Sequence, residues 1–264
     1  MSRPPDPLPW MYRWRTNLIQ TPLFTVITVL CGTLSLLVSL VDKKGFVQHR
    51  IARIWARACV RASGARLTVR GAENLRRYPV AVFASNHTSY MDTPVIFASI
   101  PLQFRILAKK ELWPIPFIGW YLNRSGQIPI DTSNPRASLS SLGVGAKTLR
   151  SGMPLFVFPE GGRTSDGDLR PFLSGAAYLA IRAQVPLVPM ALSGVYDLLP
   201  IHTHHFYPSD LTLNVGEPIE TTGMTVRQTD ELTARLRQAV DALRQPRVAA
   251  ARESVSEAEA RAEV

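Results

Sequence analysis

Cysteine is scarce in this chain: Cys31 and Cys59 are the only two, and they form no C-x-x-C pair. That excludes a disulfide-built scaffold and a dithiol redox motif, and it fits a reducing compartment. Both cysteines read as small buried hydrophobes. Acidic residues are few as well, 20 Asp and Glu against 30 Lys and Arg, for a formal net charge of +10. The excess favours an anionic partner: a phospholipid surface, a phosphorylated substrate or nucleic acid. Nucleic acid is disfavoured, because the basic residues lack interleaved aromatics and any recognisable reading motif. There is no G-x-S-x-G elbow to present a nucleophilic serine, no internal repeat and no low-complexity block. His202, His204 and His205 are spaced like metal ligands but have no cysteine or carboxylate frame beside them, so no metal site is expected.

Charge itself is missing from residues 16–41. An apolar helix of that length covers the roughly 30 Å of a bilayer core. Trp10, Tyr12 and Trp14 precede it in the manner of interfacial anchors, with Arg13 and Arg15 before it and Asp42, Lys43 and Lys44 after it. It is longer than the apolar core of an ordinary signal peptide. A second helix is expected over 47–67, with Arg50, Arg53, Arg57 and Arg61 on one face. It could lie on a membrane surface or cover the catalytic domain. Residues 1–65 are therefore expected to be a membrane-associating helical region, 66–245 the main domain, and 246–264 a polar tail, frayed or disordered.

From Gly71 onward the chain alternates strand, loop and helix. Strands are expected at 66–69, 80–84, 105–107, 128–129, 155–158, 187–191 and 211–215. Helices are expected at 94–100, 114–121, 135–151, 175–183 and 229–243. The pattern predicts an α/β fold, a twisted mainly parallel sheet flanked by helices, with an N-terminal apolar membrane-anchoring helical segment.

Two polar clusters follow apolar strands. In the first, Asn86 to Asp92, His87 can take a proton from an alcohol near neutral pH, and Asp92 can hold its tautomer and stabilise the imidazolium. Without a protein nucleophile, such a pair suits direct attack by a substrate hydroxyl. In the second, Phe158 to Ser165, Arg163 offers a bidentate fork for phosphate. Gly161 and Gly162 let the backbone approach an oxyanion, and Glu160 either orients Arg163 or accepts from a substrate hydroxyl. Lys109 and Lys110 offer a further candidate phosphate contact, or form a solvated loop pair.

At these residues the sequence resembles the PlsC-like glycerolipid acyltransferases, the lysophosphatidic acid acyltransferase family. N-H-x-x-x-x-D is complete from Asn86 to Asp92, and F-P-E-G-G-R-T from Phe158 to Thr164 is similar to F-P-E-G-T-R-S. Gly126 to Asp131 matches G-x-I-x-I-D, with Thr132 where the family has Arg. Val185-Pro186-Leu187-Val188-Pro189 matches V-P-x-x-P, and Lys109 to Leu112 looks like K-x-E-L. The resemblance implies a 1-acylglycerol-3-phosphate O-acyltransferase that needs no metal or redox cofactor. It would move a fatty acyl group from acyl-CoA or acyl-carrier protein to the sn-2 hydroxyl of 1-acyl-sn-glycerol-3-phosphate, giving phosphatidic acid. His87 would be the base, Asp92 its partner, and Lys109, Glu160, Gly161, Gly162 and Arg163 would bind substrate. It also implies an inner-membrane location with the catalytic domain on the cytoplasmic side. Acylation of another lysolipid, such as lyso-ornithine lipid, and a non-catalytic membrane-binding role are the alternatives. Thr132 leaves the acceptor less defined than the chemistry.

Overall fold

A computed structural model describes residues 10–201 and 203–245; His202 and the 246–264 tail lie outside the described residues. Seven strands form one sheet: β1 (Leu67–Arg70), β2 (Val82–Ser85), β3 (Arg105–Lys109), β4 (Ile128–Ile130), β5 (Leu155–Val157), β6 (Leu187–Ser193) and β7 (Leu211–Val215). Their order is β1-β7-β6-β2-β5-β3-β4. Every pairing is parallel except β6 with β7. The central strands are buried along almost their whole length, as the unbroken apolar runs of a sheet covered on both faces require.

The helices are α1 (Trp10–Arg15), α2 (Thr21–Val38), α3 (Phe46–Ser63), α4 (Ala72–Arg77), α5 (Asp92–Ser99), α6 (Ile118–Arg124), α7 (Pro135–Arg150), α8 (Gly175–Ala183), α9 (Val195–Leu198) and α10 (Thr229–Leu243). One core joins α3 and α5 to one face of the sheet through Cys59, Phe97, Phe104 and Phe156. The other joins α7, α8 and α10 to the opposite face through Leu149, Leu179 and Leu236.

Most expected elements are present, with shifts that have local causes. The helix expected at 114–121 begins at Ile118, because Pro114 and Pro116 lack the N–H groups a helix would use. The helix expected at 94–100 starts two residues earlier, at Asp92. The one expected at 47–67 ends at Ser63, where Gly64 turns left-handed, which frees Leu67 for β1. The short helices α4 and α9 carry too few residues to show a period and were not anticipated.

The apolar N-terminal stretch forms α1, a π-turn over Thr16–Gln20 and α2. Together Tyr12–Val38 is the one helix among the described residues long and apolar enough to cross a membrane, and its apolar window is only 6% buried. It is nonetheless docked on the protein along one side. Gln20 donates to the carbonyls of Ala62 and Ser63 at 3.2 and 2.9 Å. Trp55 donates to Thr28, and Phe24 stacks on Phe206 at 4.9 Å. Its other side leaves Val26, Leu30, Leu34 and Leu37 exposed.

α3 covers the domain with one side, the second of the two roles open to it in the sequence. Ile51, Ala52, Ala56 and Cys59 face the core, while Arg50, Arg57 and Arg61 face outward. Arg53 is half-buried and donates to the carbonyl of Pro101. The hydrophobic core therefore runs without a break across residue 65.

Candidate active site

In a parallel sheet the loops after neighbouring strands emerge side by side at the carboxyl edge, where α/β proteins bind ligands. β2 and β5 are direct neighbours, with Phe83 opposite Phe156. The two polar clusters, 73 residues apart in the chain, thus meet. Asn86 sets the exit from β2. Its amide donates to the carbonyl of Leu192 at 3.0 Å and accepts from the same residue's N–H at 2.8 Å, joining the loop to β6.

The loop then closes on one oxygen. Asp92 Oδ2 accepts from Nδ1 of His87 at 2.8 Å and from the amides of Thr88 and Ser89 at 2.5 and 2.8 Å. Asp92 is fully buried at the start of α5, and the His87 side chain is 18% exposed. With Nδ1 directed at the carboxylate, Nε2 is the nitrogen left for a substrate proton. Phe158 stacks beneath the imidazole, centroids 3.9 Å apart and planes 12° from parallel.

The second loop grips the first by its backbone. The N–H of His87 donates to Glu160 Oε1 at 2.6 Å, and the carbonyl of His87 accepts from Thr164 at 3.1 Å. The other oxygen of Glu160 accepts from the N–H of Arg170 at 2.9 Å. Each oxygen of Glu160 thus takes a backbone amide, and the side chain braces the two loops against one another. Burial raises its pKa, against the lowering effect of those two amides.

Arg163 is exposed, and its guanidinium lies over the ring of Tyr90 with Cζ 3.6 Å from the centroid. It forms no ion pair among the described residues. The ring holds the planar fork in place without occupying its N–H groups. Gly161 turns with φ +69°, a conformation other residues resist, and a Cβ there would meet Leu173 at 2.8 Å. The next two amides, of Gly162 and Arg163, make no hydrogen bond among the described residues, leaving donors for an anionic oxygen.

The two lysines after β3 part company. Lys110 pairs with Asp131 at 2.5 Å, tying the ends of β3 and β4. Lys110 and Ser133 together hold the Asp131 carboxyl down to about 2. Lys109 makes no such pair, and its Nζ stands 3.5 Å from where a Cβ on Gly162 would be. His87, Arg163 and Lys109 therefore share the carboxyl edge. Thr132 brings no charge there. Arg124 ends α6 at the opposite edge of the sheet, while Arg136, in the first turn of α7, follows β4 on the same edge as His87.

Sequence reasoning missed Tyr90 and Phe158, the two rings that fix Arg163 and His87. Each lies inside its motif, but an unnamed or apolar motif position does not announce which side chain it will touch. Among the described residues no three His, Cys, Asp or Glu side chains gather as a metal set; His204 and His205 are described, His202 is not.

The acyltransferase family model matches residues 66–193. A chloroplastic 1-acyl-sn-glycerol-3-phosphate acyltransferase of Brassica napus is 32% identical over 153 residues, 58% of this chain and 44% of that one. The 1-acyl-sn-glycerol-3-phosphate acyltransferase of Saccharomyces cerevisiae is 30% identical over 215 residues, 80% of this chain and 71% of that one. The human beta form of that name is 31% identical over 163 residues, 61% and 59%. This chain thus spans less than half the length of the chloroplast relative. Among solved structures, the 1-acyl-sn-glycerophosphate acyltransferase PlsC of Thermotoga maritima has the same fold, with a TM-score of 0.74 at 23% identity, over 88% of this chain and 96% of that one.

Proposed function

The chain belongs to the 1-acyl-sn-glycerol-3-phosphate acyltransferase family, and from that premise we propose that it transfers a fatty acyl group from acyl-CoA or acyl-carrier protein to the sn-2 hydroxyl of 1-acyl-sn-glycerol-3-phosphate. The observation that carries the reading is the 2.8 Å contact between His87 Nδ1 and the buried carboxylate of Asp92, set beside unpaired Arg163 and Lys109.

In the mechanism His87 Nε2 takes the proton of the acceptor hydroxyl as its oxygen attacks the thioester carbonyl. Asp92 holds the imidazole in the required tautomer and stabilises the imidazolium that forms. The Gly162 and Arg163 amides supply donors to an anionic oxygen. Arg163 and Lys109 hold the phosphate, and the thiol leaves with the proton that His87 returns. The acyl group passes directly between substrates: the two serines nearest in the loop are engaged elsewhere, Ser85 donating to Asn86 and Ser89 to the carbonyl of Leu199. Glu160 acts through the backbone of His87 and keeps the ring on its axis.

Attachment to a membrane belongs to the same reading. The side-on docking of α2 supports seating in one leaflet, because a helix held by Gln20 at one end and Trp55 midway is not free to leave the domain and cross. An inner-membrane location, with the site facing the cytoplasm, is part of the proposal.

The test is turnover by the purified enzyme against a panel of lysolipid acceptors with one acyl-CoA, read by product mass. Phosphatidic acid from the parent and none from His87→Ala is the expected result. Product that persists in H87A removes the base. Turnover only with lyso-ornithine lipid would keep the chemistry and replace the acceptor.

A further inference from the structure

Between Glu111 and Arg124 the chain carries no charge for twelve residues. In the fold this stretch links the end of β3, with its active-site lysine, to the end of α6. Leu112, Ile115, Phe117, Ile118 and Trp120 are all exposed, Phe117 and Trp120 by about half. Soluble domains rarely gather so many large apolar side chains on one short surface segment.

Much of the backbone under this display is hydrogen-bonded. The amides of Ile115, Ile118, Gly119 and Tyr121 donate to carbonyls within the segment, that of Trp113 donates back to the carbonyl of Lys110, and Pro114 and Pro116 have no N–H to satisfy. Such a segment can enter an apolar medium without stranding those donors. Gly119 makes the fold possible: a Cβ there would stand 1.8 Å from the carbonyl oxygen of Trp113. Phe117 holds φ +62°, a conformation unfavourable for an aromatic residue, while its ring, about half exposed, lies 5.1 Å from that of Trp120.

The surface is continuous with the membrane-facing helix. Trp120, Asn123 and Arg124 line one wall of a groove of about 430 Å³, and Leu36, Ser39 and Leu40 at the end of α2 line the other. Exposed Lys109 precedes the segment at the carboxyl edge of the sheet, a cation placed to meet an anionic headgroup.

We propose that residues 112–120 form a second membrane-inserting element, a rigid apolar knob that enters the same lipid leaflet as the outer face of α2. It would seat the carboxyl edge of the sheet against the leaflet from which a lysolipid rises. The inference rests on the acyltransferase reading only for that last step; insertion itself is independent of it.

The experiment uses full-length protein and vesicles of phosphatidylcholine with phosphatidylglycerol. In the variant W10F/W14F/W55F/W113F, Trp120 is the sole tryptophan, and its fluorescence should be quenched by brominated lipid. An unquenched Trp120 on vesicle-bound protein overturns the proposal. The companion variant, Phe117→Asn with Trp120→Gln, removes the apolar tips, and Asn suits a positive φ better than Phe, so the fold is preserved. Its apparent KM for vesicle-embedded 1-acyl-sn-glycerol-3-phosphate should rise about tenfold, with turnover of a short-chain, water-soluble acceptor unchanged. Equal KM values in parent and variant also overturn it. A parent that makes no product with any acceptor would sink the proposed activity, while the quenching would still decide insertion.

Discussion

Replacing Asp92 by Asn keeps the shape of the site and removes one charge. An Asn oxygen placed at the Oδ2 position still accepts from His87 and from the Thr88 and Ser89 amides. A flipped amide would push its NH2 against those two N–H donors, so the neutral imidazole keeps its tautomer. What disappears is the negative charge facing the imidazolium in the transition state. With roughly 4 Å between charge centres and an effective dielectric constant of about 20, that interaction is about 4 kcal/mol. The amide dipole restores part of it, leaving about 3 kcal/mol, or roughly a hundredfold in rate. Because the ground-state imidazole is neutral, the loss falls on kcat, and KM for the acceptor stays within about threefold. The Asn NH2 lands where Oδ1 is already buried without a partner; relief from burying a carboxylate offsets that, and Tm stays near the parent value. Continuous detection of the released thiol, with circular dichroism on the same sample, measures both. A folded D92N with kcat within threefold of the parent would refute the electrostatic role given to Asp92.

Arg163→Ala should raise KM for a phosphate-bearing acceptor by about tenfold or more and leave KM for acyl-CoA nearly unchanged; the reverse split in bisubstrate kinetics would assign Arg163 to the donor. Gln20→Ala strands the Ala62 and Ser63 carbonyls and should lower stability by about 1–3 kcal/mol in urea titrations, whereas an unchanged midpoint would mean that α2 is not docked as described. Asp131 is held down to about 2, so it stays charged in the folded chain where the unfolded chain takes up a proton. Its contribution is complete above about pH 4 and fades as pH falls toward 2. The parent's advantage over Asp131→Asn in urea midpoint should shrink across that window, and a gap independent of pH would contradict the pairing with Lys110.

Much was legible in the chain because it is local. The His87 to Asp92 spacing, the apolar run before each cluster and the uncharged stretch 16–41 are properties of consecutive residues, and backbone geometry turns them directly into a turn, a strand and a helix. Pairings over long separations left no such trace. Nothing in the order of residues says that Glu160 would brace the backbone of His87, or that Lys110 would take Asp131 and leave Lys109 without such a pair. Those outcomes follow from the adjacency of β2 with β5 and of β3 with β4.

The sequence by itself determined the chemistry available: an imidazole with a carboxylate five residues on, an arginine beside two glycines, and an apolar helix without charge. Tertiary structure alone decided how these are arranged. It placed both clusters on one edge of the sheet, set the rings of Tyr90 and Phe158 under Arg163 and His87, and docked α2 by one side while leaving the other apolar and exposed. The reason is physical: bonds between neighbours in the chain are dictated by local geometry, whereas contacts across 70 residues depend on how every layer packs.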